Sequence, residues 1–177
     1  MNTQPQSGPI LNKSAEQGNP DLGNKKGEVL AMGVGNYLMG DEGIGVQIVH
    51  KMEKMDLPGY LDILDGGTGG FLLLSYFDEY PTIIFIDATM DGKPPGTITV
   101  TEPKFASDFP SALSVHDVGL KDMIEAVYLS DHVPKMFLIT ITIKEIKPMT
   151  LELAPEVEAA IPEAIEKIQK LAAQVMA

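Results

Sequence analysis

The chain has 177 residues, no cysteine and a formal net charge of -12; this excludes disulfides, thiolate metal sites and a cysteine nucleophile, and argues against a nucleic-acid surface, which needs basic charge. Residues 1–27 carry three lysines against two acids, leaving -13 on the rest, an acidic body that suits a partner with a basic contact surface or serves only solubility. No apolar run approaches the roughly 20 residues needed to span a bilayer and no basic-then-apolar leader opens the chain, so a cytoplasmic protein with a single real core is expected.

Residues 1–27 are rich in Asn, Gln, Gly, Pro and Ser and read as a disordered leader ahead of one domain at 28–177. Residues 29–32 predict a buried strand. The run Gly33-Val34-Gly35-Asn36-Tyr37-Leu38-Met39-Gly40-Asp41-Glu42-Gly43-Ile44-Gly45 then forms a glycine corner, and Val46, Val49 and Met52 recur at one-turn spacing in a helix over 42–55. A second strand is predicted at 61–64, a turn at Asp65-Gly66-Gly67-Thr68-Gly69-Gly70 and a helix over 71–78. Residues 82–86 are a continuous β-branched and aromatic run closed by Asp87, followed by a strand at 96–101, a helix over 115–129 and a strand at 136–143. Residues 155–175 read as an amphipathic helix in which Pro162 marks either a kink or the true first turn. This alternation predicts a three-layer α/β/α sandwich around a mostly parallel twisted sheet.

Ligands of open parallel sheets bind beyond the carboxyl ends of the strands, and Asp41, Glu42, Asp65 and Asp87 all fall there. Carboxylates in the first glycine corner repel phosphate and attract a metal ion, a proton or a cation. Of the three histidines, His50 reads as a helix-face residue and His132 as a loop residue. Ser114-Val115-His116-Asp117 resembles a capping box that would hold His116 in a helix's first turn. A lone histidine there is also compatible with a structural role; set at the same edge as Glu42 and Asp87, it is preferred as a ligand. Glu42, Asp87 and His116 would give two oxygens and one imidazole nitrogen, a set compatible with nickel or zinc. For Asp41 the competing role is acidic charge at a helix N-terminus, and for Asp65 a turn-forming residue ahead of glycines. A dinucleotide fingerprint fails because Leu38 stands where its third glycine belongs. No P-loop, no G-x-S-x-G elbow and no H-E-x-x-H motif is present.

These residues resemble the nickel–iron hydrogenase maturation endopeptidases. Gly33-x-Gly35-Asn36-x-Leu38-x-x-Asp41-Glu42-Gly43-x-Gly45 looks like that family's opening motif, and Asp65-Gly66-Gly67-Thr68-x-Gly70 like its second-strand loop. Ile83-Ile84-Phe85-Ile86-Asp87-Ala88 is similar to its third strand, Ser114-x-His116-x-x-Gly119-Leu120 to its histidine-bearing helix start, and Leu153-Ala154-Pro155-Glu156-Val157-Glu158 to its last-helix entry. Together the motifs cover roughly residues 28–172. The resemblance implies removal of a C-terminal extension from the hydrogenase large-subunit precursor after nickel insertion. It implies Glu42, Asp87 and His116 as the metal-contacting set, with nickel presented by the substrate rather than held permanently, and another divalent metal able to stand in for it in vitro. Asp41 or Asp65 would be a proton acceptor, and Asp65, Gly66, Gly67, Thr68 and Gly69 would position the substrate tail. Many relatives carry Asp-Asp where this chain has Asp41-Glu42, which changes ligand reach. A monomer is expected, with no nucleic-acid or membrane partner. Two other functions stay open: a non-catalytic checkpoint that senses nickel in the precursor, and a generic aminopeptidase-like activity with a tightly bound zinc.

Overall fold

The computed structural model describes residues 26–110 and 120–177. Its centre is a five-stranded sheet in the order β2-β1-β3-β5-β4, built from β1 (Val29–Val34), β2 (Leu61–Gly67), β3 (Thr82–Thr89), β4 (Ile98–Thr101) and β5 (Lys135–Thr142). β1, β2, β3 and β5 run parallel, and only β4 is antiparallel, against β5.

The side-chain period explains the layers. Along β1, Val29 and Ala31 enter one core with Ile44, Ile48, Ile84 and Ile168, whereas Leu30, Met32 and Val34 enter a second with Phe77, Phe85 and Ile124. A central strand apolar at every position must be covered on both faces. Helices α1 (Ile44–Met52), α4 (Pro155–Ala159) and α5 (Ile161–Met176) contribute to the first core; α2 (Leu74–Glu79) and α3 (Leu120–Tyr128) contribute to the second. The expected three-layer sandwich is therefore the observed fold.

Several boundaries differ from the sequence expectation, each for a physical reason. The first helix is preceded by a separate 3-10 turn, Gly40–Gly43, and α1 ends at Met52 rather than near residue 55. β2 does not stop at Leu64 but continues through Asp65-Gly66-Gly67, because Gly33 pairs with Asp65 and Val34 with Gly67. The extra residue, Gly66, makes this a bulge, which glycine accommodates without side-chain conflict. The final helix is two: Pro155 opens α4, and Pro162 lies in the first turn of α5, where its missing N–H and fixed φ are tolerated. Residues 1–25 and 111–119, and with them the predicted cap of the helix at 115, lie outside the described residues.

Candidate active site

Backbone-to-backbone packing of glycines builds the carboxyl edge of the sheet. A Cβ on Gly33 would lie 2.2 Å from the Gly45 carbonyl oxygen, and one on Gly45 would lie 2.2 Å from the Ile86 oxygen and 2.7 Å from that of Val34. The start of α1 thus rests directly on the ends of β1 and β3. Gly35, at φ +124°, turns the chain where a Cβ would stand 2.2 Å from the Glu42 carbonyl oxygen and 3.8 Å from Asp87 Oδ1. Only glycine permits that corner, and it sets the turn carrying Glu42 beside the strand carrying Asp87. The Gly35 N–H donates to the Gly67 carbonyl at 2.9 Å, joining the two glycine loops.

Glu42 and Asp87 are both fully buried. Asp87 Oδ1 accepts the Ala88 N–H at 2.7 Å, and Thr140 of β5 stands beside Asp87 in register. Each carboxylate removed from water is a hard oxygen donor, and such groups are retained in proteins where partners or a cation compensate them. His116 lies outside the described residues, and among those residues no group of three or more His, Cys, Asp or Glu side chains gathers around a common point.

Asp41 faces a different neighbour. Its Oδ1 accepts the Ala154 N–H at 2.7 Å, while Gly40 donates to the Thr150 carbonyl at 2.9 Å and Thr150 to the Leu38 carbonyl at 3.1 Å. The first loop is thereby fastened to the segment entering α4. The two joined loops expose Leu38, Met149 and Leu151 at this edge. Burial pushes the Asp41 carboxyl above its ordinary range, against the opposing pull of the Ala154 N–H and Lys147.

This raised value fixes the sign of a pH dependence. A carboxyl whose folded pKa exceeds its unfolded one stabilises fully below the unfolded value and loses that contribution as pH rises through the folded value. Asp41→Asn keeps an acceptor for Ala154 but does not ionise. Urea titrations should therefore show the native chain losing stability relative to Asp41→Asn as pH climbs from below 3.8, the ordinary value, to neutrality. Asp41→Ala, which leaves the Ala154 N–H without its acceptor, should cost about 1–3 kcal/mol at low pH and less as pH rises through the Asp41 titration.

Asp65 ends its strand next to Gly33, and its Oδ2 lies 2.7 Å from His50 Nε2. Asp65, Gly66, Gly67, Thr68 and Gly69 line one side of a cleft of about 490 Å³ closed by Leu72, Leu73 and Tyr76. His50, which the sequence reading sets aside as a helix-face residue, thus belongs to this loop's surroundings. Its ring also meets Tyr37 edge-on at 5.2 Å. No local pattern links His50 to a residue fifteen positions on; only the α1–β2 packing does. His132 precedes β5, at the opposite, amino edge of the sheet.

The comparisons with known proteins bear on this geometry. The hydrogenase maturation protease (HycI) family profile matches residues 46–171. The chain belongs to the hydrogenase maturation protease family. It is 36% identical to the hydrogenase 2 maturation protease of Escherichia coli over 143 residues, covering 79% of this chain and 87% of that protein. It is 35% identical to a putative hydrogenase maturation protease of Methanocaldococcus jannaschii, covering 81% and 96%. The structure of the E. coli hydrogenase-maturating endopeptidase HybD superposes with a TM-score of 0.76 at 34% identity, covering 84% of this chain and 93% of that one. Within this maturation protease, Asp65, Asp87 and His116 fall inside the residues matched by the family profile, while Asp41 and Glu42 precede them.

Proposed function

We propose that this maturation protease is the endopeptidase that removes the C-terminal extension of a nickel–iron hydrogenase large-subunit precursor after nickel insertion. One observation carries the site assignment: two solvent-excluded acids, Glu42 and Asp87, lie on the turn and the strand that Gly35 brings together at the carboxyl edge of the sheet, in a fold similar to that of an endopeptidase of this kind.

Glu42 and Asp87 offer oxygen donors, and His116, by its motif, an imidazole nitrogen; this mixed set suits a divalent ion such as nickel. These residues would contact nickel carried by the precursor, which would supply Lewis-acid polarisation of the scissile carbonyl or of a water molecule. The chain's own residues do the rest. The Asp65–Gly69 loop, which lines the cleft, holds the tail. Asp41 keeps the Glu42 turn in place through Ala154. Among the described residues no helix is long and apolar enough to cross a membrane, and we propose a cytoplasmic monomer as the working form.

Incubation with nickel-loaded precursor is expected to release a short C-terminal peptide by mass spectrometry, with nickel-free precursor left intact and His116→Ala inactive. Binding without any change in precursor mass would favour the checkpoint reading. Full-length precursor with no binding would remove both.

A further inference from the structure

We propose that His50 is a positioning residue of the peptide cleft, holding the Asp65 carboxylate so that its second oxygen receives main-chain N–H donors of the precursor tail. This rests on the endopeptidase reading above and names how one wall of its cleft is set.

The carboxylate is committed on one side only. Asp65 Oδ2 lies 2.7 Å from His50 Nε2, and the Asp65 side chain, 9% exposed, lines the cleft. Its Oδ1 lies 3.5 Å from where a side chain at Gly67 would begin, and Gly67, at φ +48°, has none. Gly67 and Asp65 line the same cleft, and the missing side chain at Gly67 leaves room beside Oδ1. An extended peptide presents N–H groups at such a wall, and a carboxylate accepts them more strongly than a neutral oxygen does.

His50 is itself held. Its ring meets Tyr37 at 67° between planes, the edge-to-face geometry that aromatic pairs prefer. Tyr37 in turn sits flush on the turn that carries Glu42, since a Cβ on Gly43 would stand 2.9 Å from the Tyr37 Cα. Tyr37, His50 and Asp65 thus form a chain of contacts from the Glu42 turn to the peptide cleft. With its side chain 32% exposed, His50 contributes little to the core, so its contacts are better explained by orientation of Asp65 than by packing.

The test uses the full chain with nickel-loaded large-subunit precursor and follows KM and kcat separately. His50→Leu should raise KM about tenfold while kcat stays within about twofold, the size of one lost charge-assisted contact. His50→Gln, whose amide still donates toward Asp65, should restore KM to within about twofold of the native chain. Asp65→Asn should raise KM as His50→Leu does, and the double variant should add nothing further. Should His50→Leu fail to fold, His50→Asn, polar but too short to reach, takes its place. An unchanged KM in the non-donating variant, or equal impairment by Gln and Leu, overturns the inference while native cleavage leaves the endopeptidase reading intact. If the native chain leaves the precursor whole, that reading fails and this inference falls with it.

Discussion

Glu42→Gln and Asp87→Asn should each reduce precursor cleavage by about a thousandfold, roughly 4 kcal/mol of transition-state stabilisation, without unfolding the protein. Both carboxylates are fully buried, and each replacement keeps the shape and one oxygen while removing the charge. Each replacement keeps an oxygen that can accept a hydrogen bond such as that from Ala88 to Asp87, so the variants should still unfold in one cooperative thermal transition. The pairing of lost cleavage with a retained cooperative transition is the signature of groups needed for chemistry rather than for folding. Rates from mass spectrometry of the precursor, read beside thermal unfolding, check both halves. Cleavage at the native rate by either variant would take that residue out of the reaction.

Gly45→Ala should destabilise the fold by about 3 kcal/mol or more, a large part of the ~5–15 kcal/mol typical of a domain. Helix propensity alone predicts the opposite sign, because alanine is better than glycine inside a helix by about 1 kcal/mol. Space decides the outcome. The new methyl would lie 2.2 Å from the Ile86 carbonyl oxygen and 2.7 Å from that of Val34, and both belong to buried central strands that cannot withdraw. Gly59 is the control, since its Cβ would meet nothing within 4 Å, and Gly59→Ala should change stability by less than about 0.5 kcal/mol. Urea unfolding of the two variants settles the comparison. Equal stability for both would mean that the helix start can lift from the sheet.

The central strands were legible because their physics is local. β1 has no polar side chain and β3 has none over 83–86, and both strands are buried at every position; a run of that kind belongs inside a doubly covered sheet. The extension of β2 through Asp65-Gly66-Gly67 was not legible, because glycines after an aspartate signal a turn. Here the neighbouring strand supplies the ladder, and the bulge absorbs the misfit. The candidate site divides in the same way. Glu42 and Asp87 stand out as acids after the first glycine corner and after the 82–86 apolar run, a matter of a few residues of local pattern, although β3 does not close at Asp87 but pairs on to Thr89. The partners of Asp41 and His50 do not, since Ala154 and Asp65 come into reach only through tertiary packing.

The bond between Asp41 and Ala154 joins residues 113 positions apart, and that span has a bearing on biosynthesis. A ribosome delivers the Glu42 turn early and its anchor late, and contacts so distant in the chain close only after most of the loop entropy has been spent. The backbone packing of Gly33, Gly35 and Gly45 is complete within residues 33–87, whereas the clamp from Ala154 onto Asp41 is added only once the chain has emerged as far as α4.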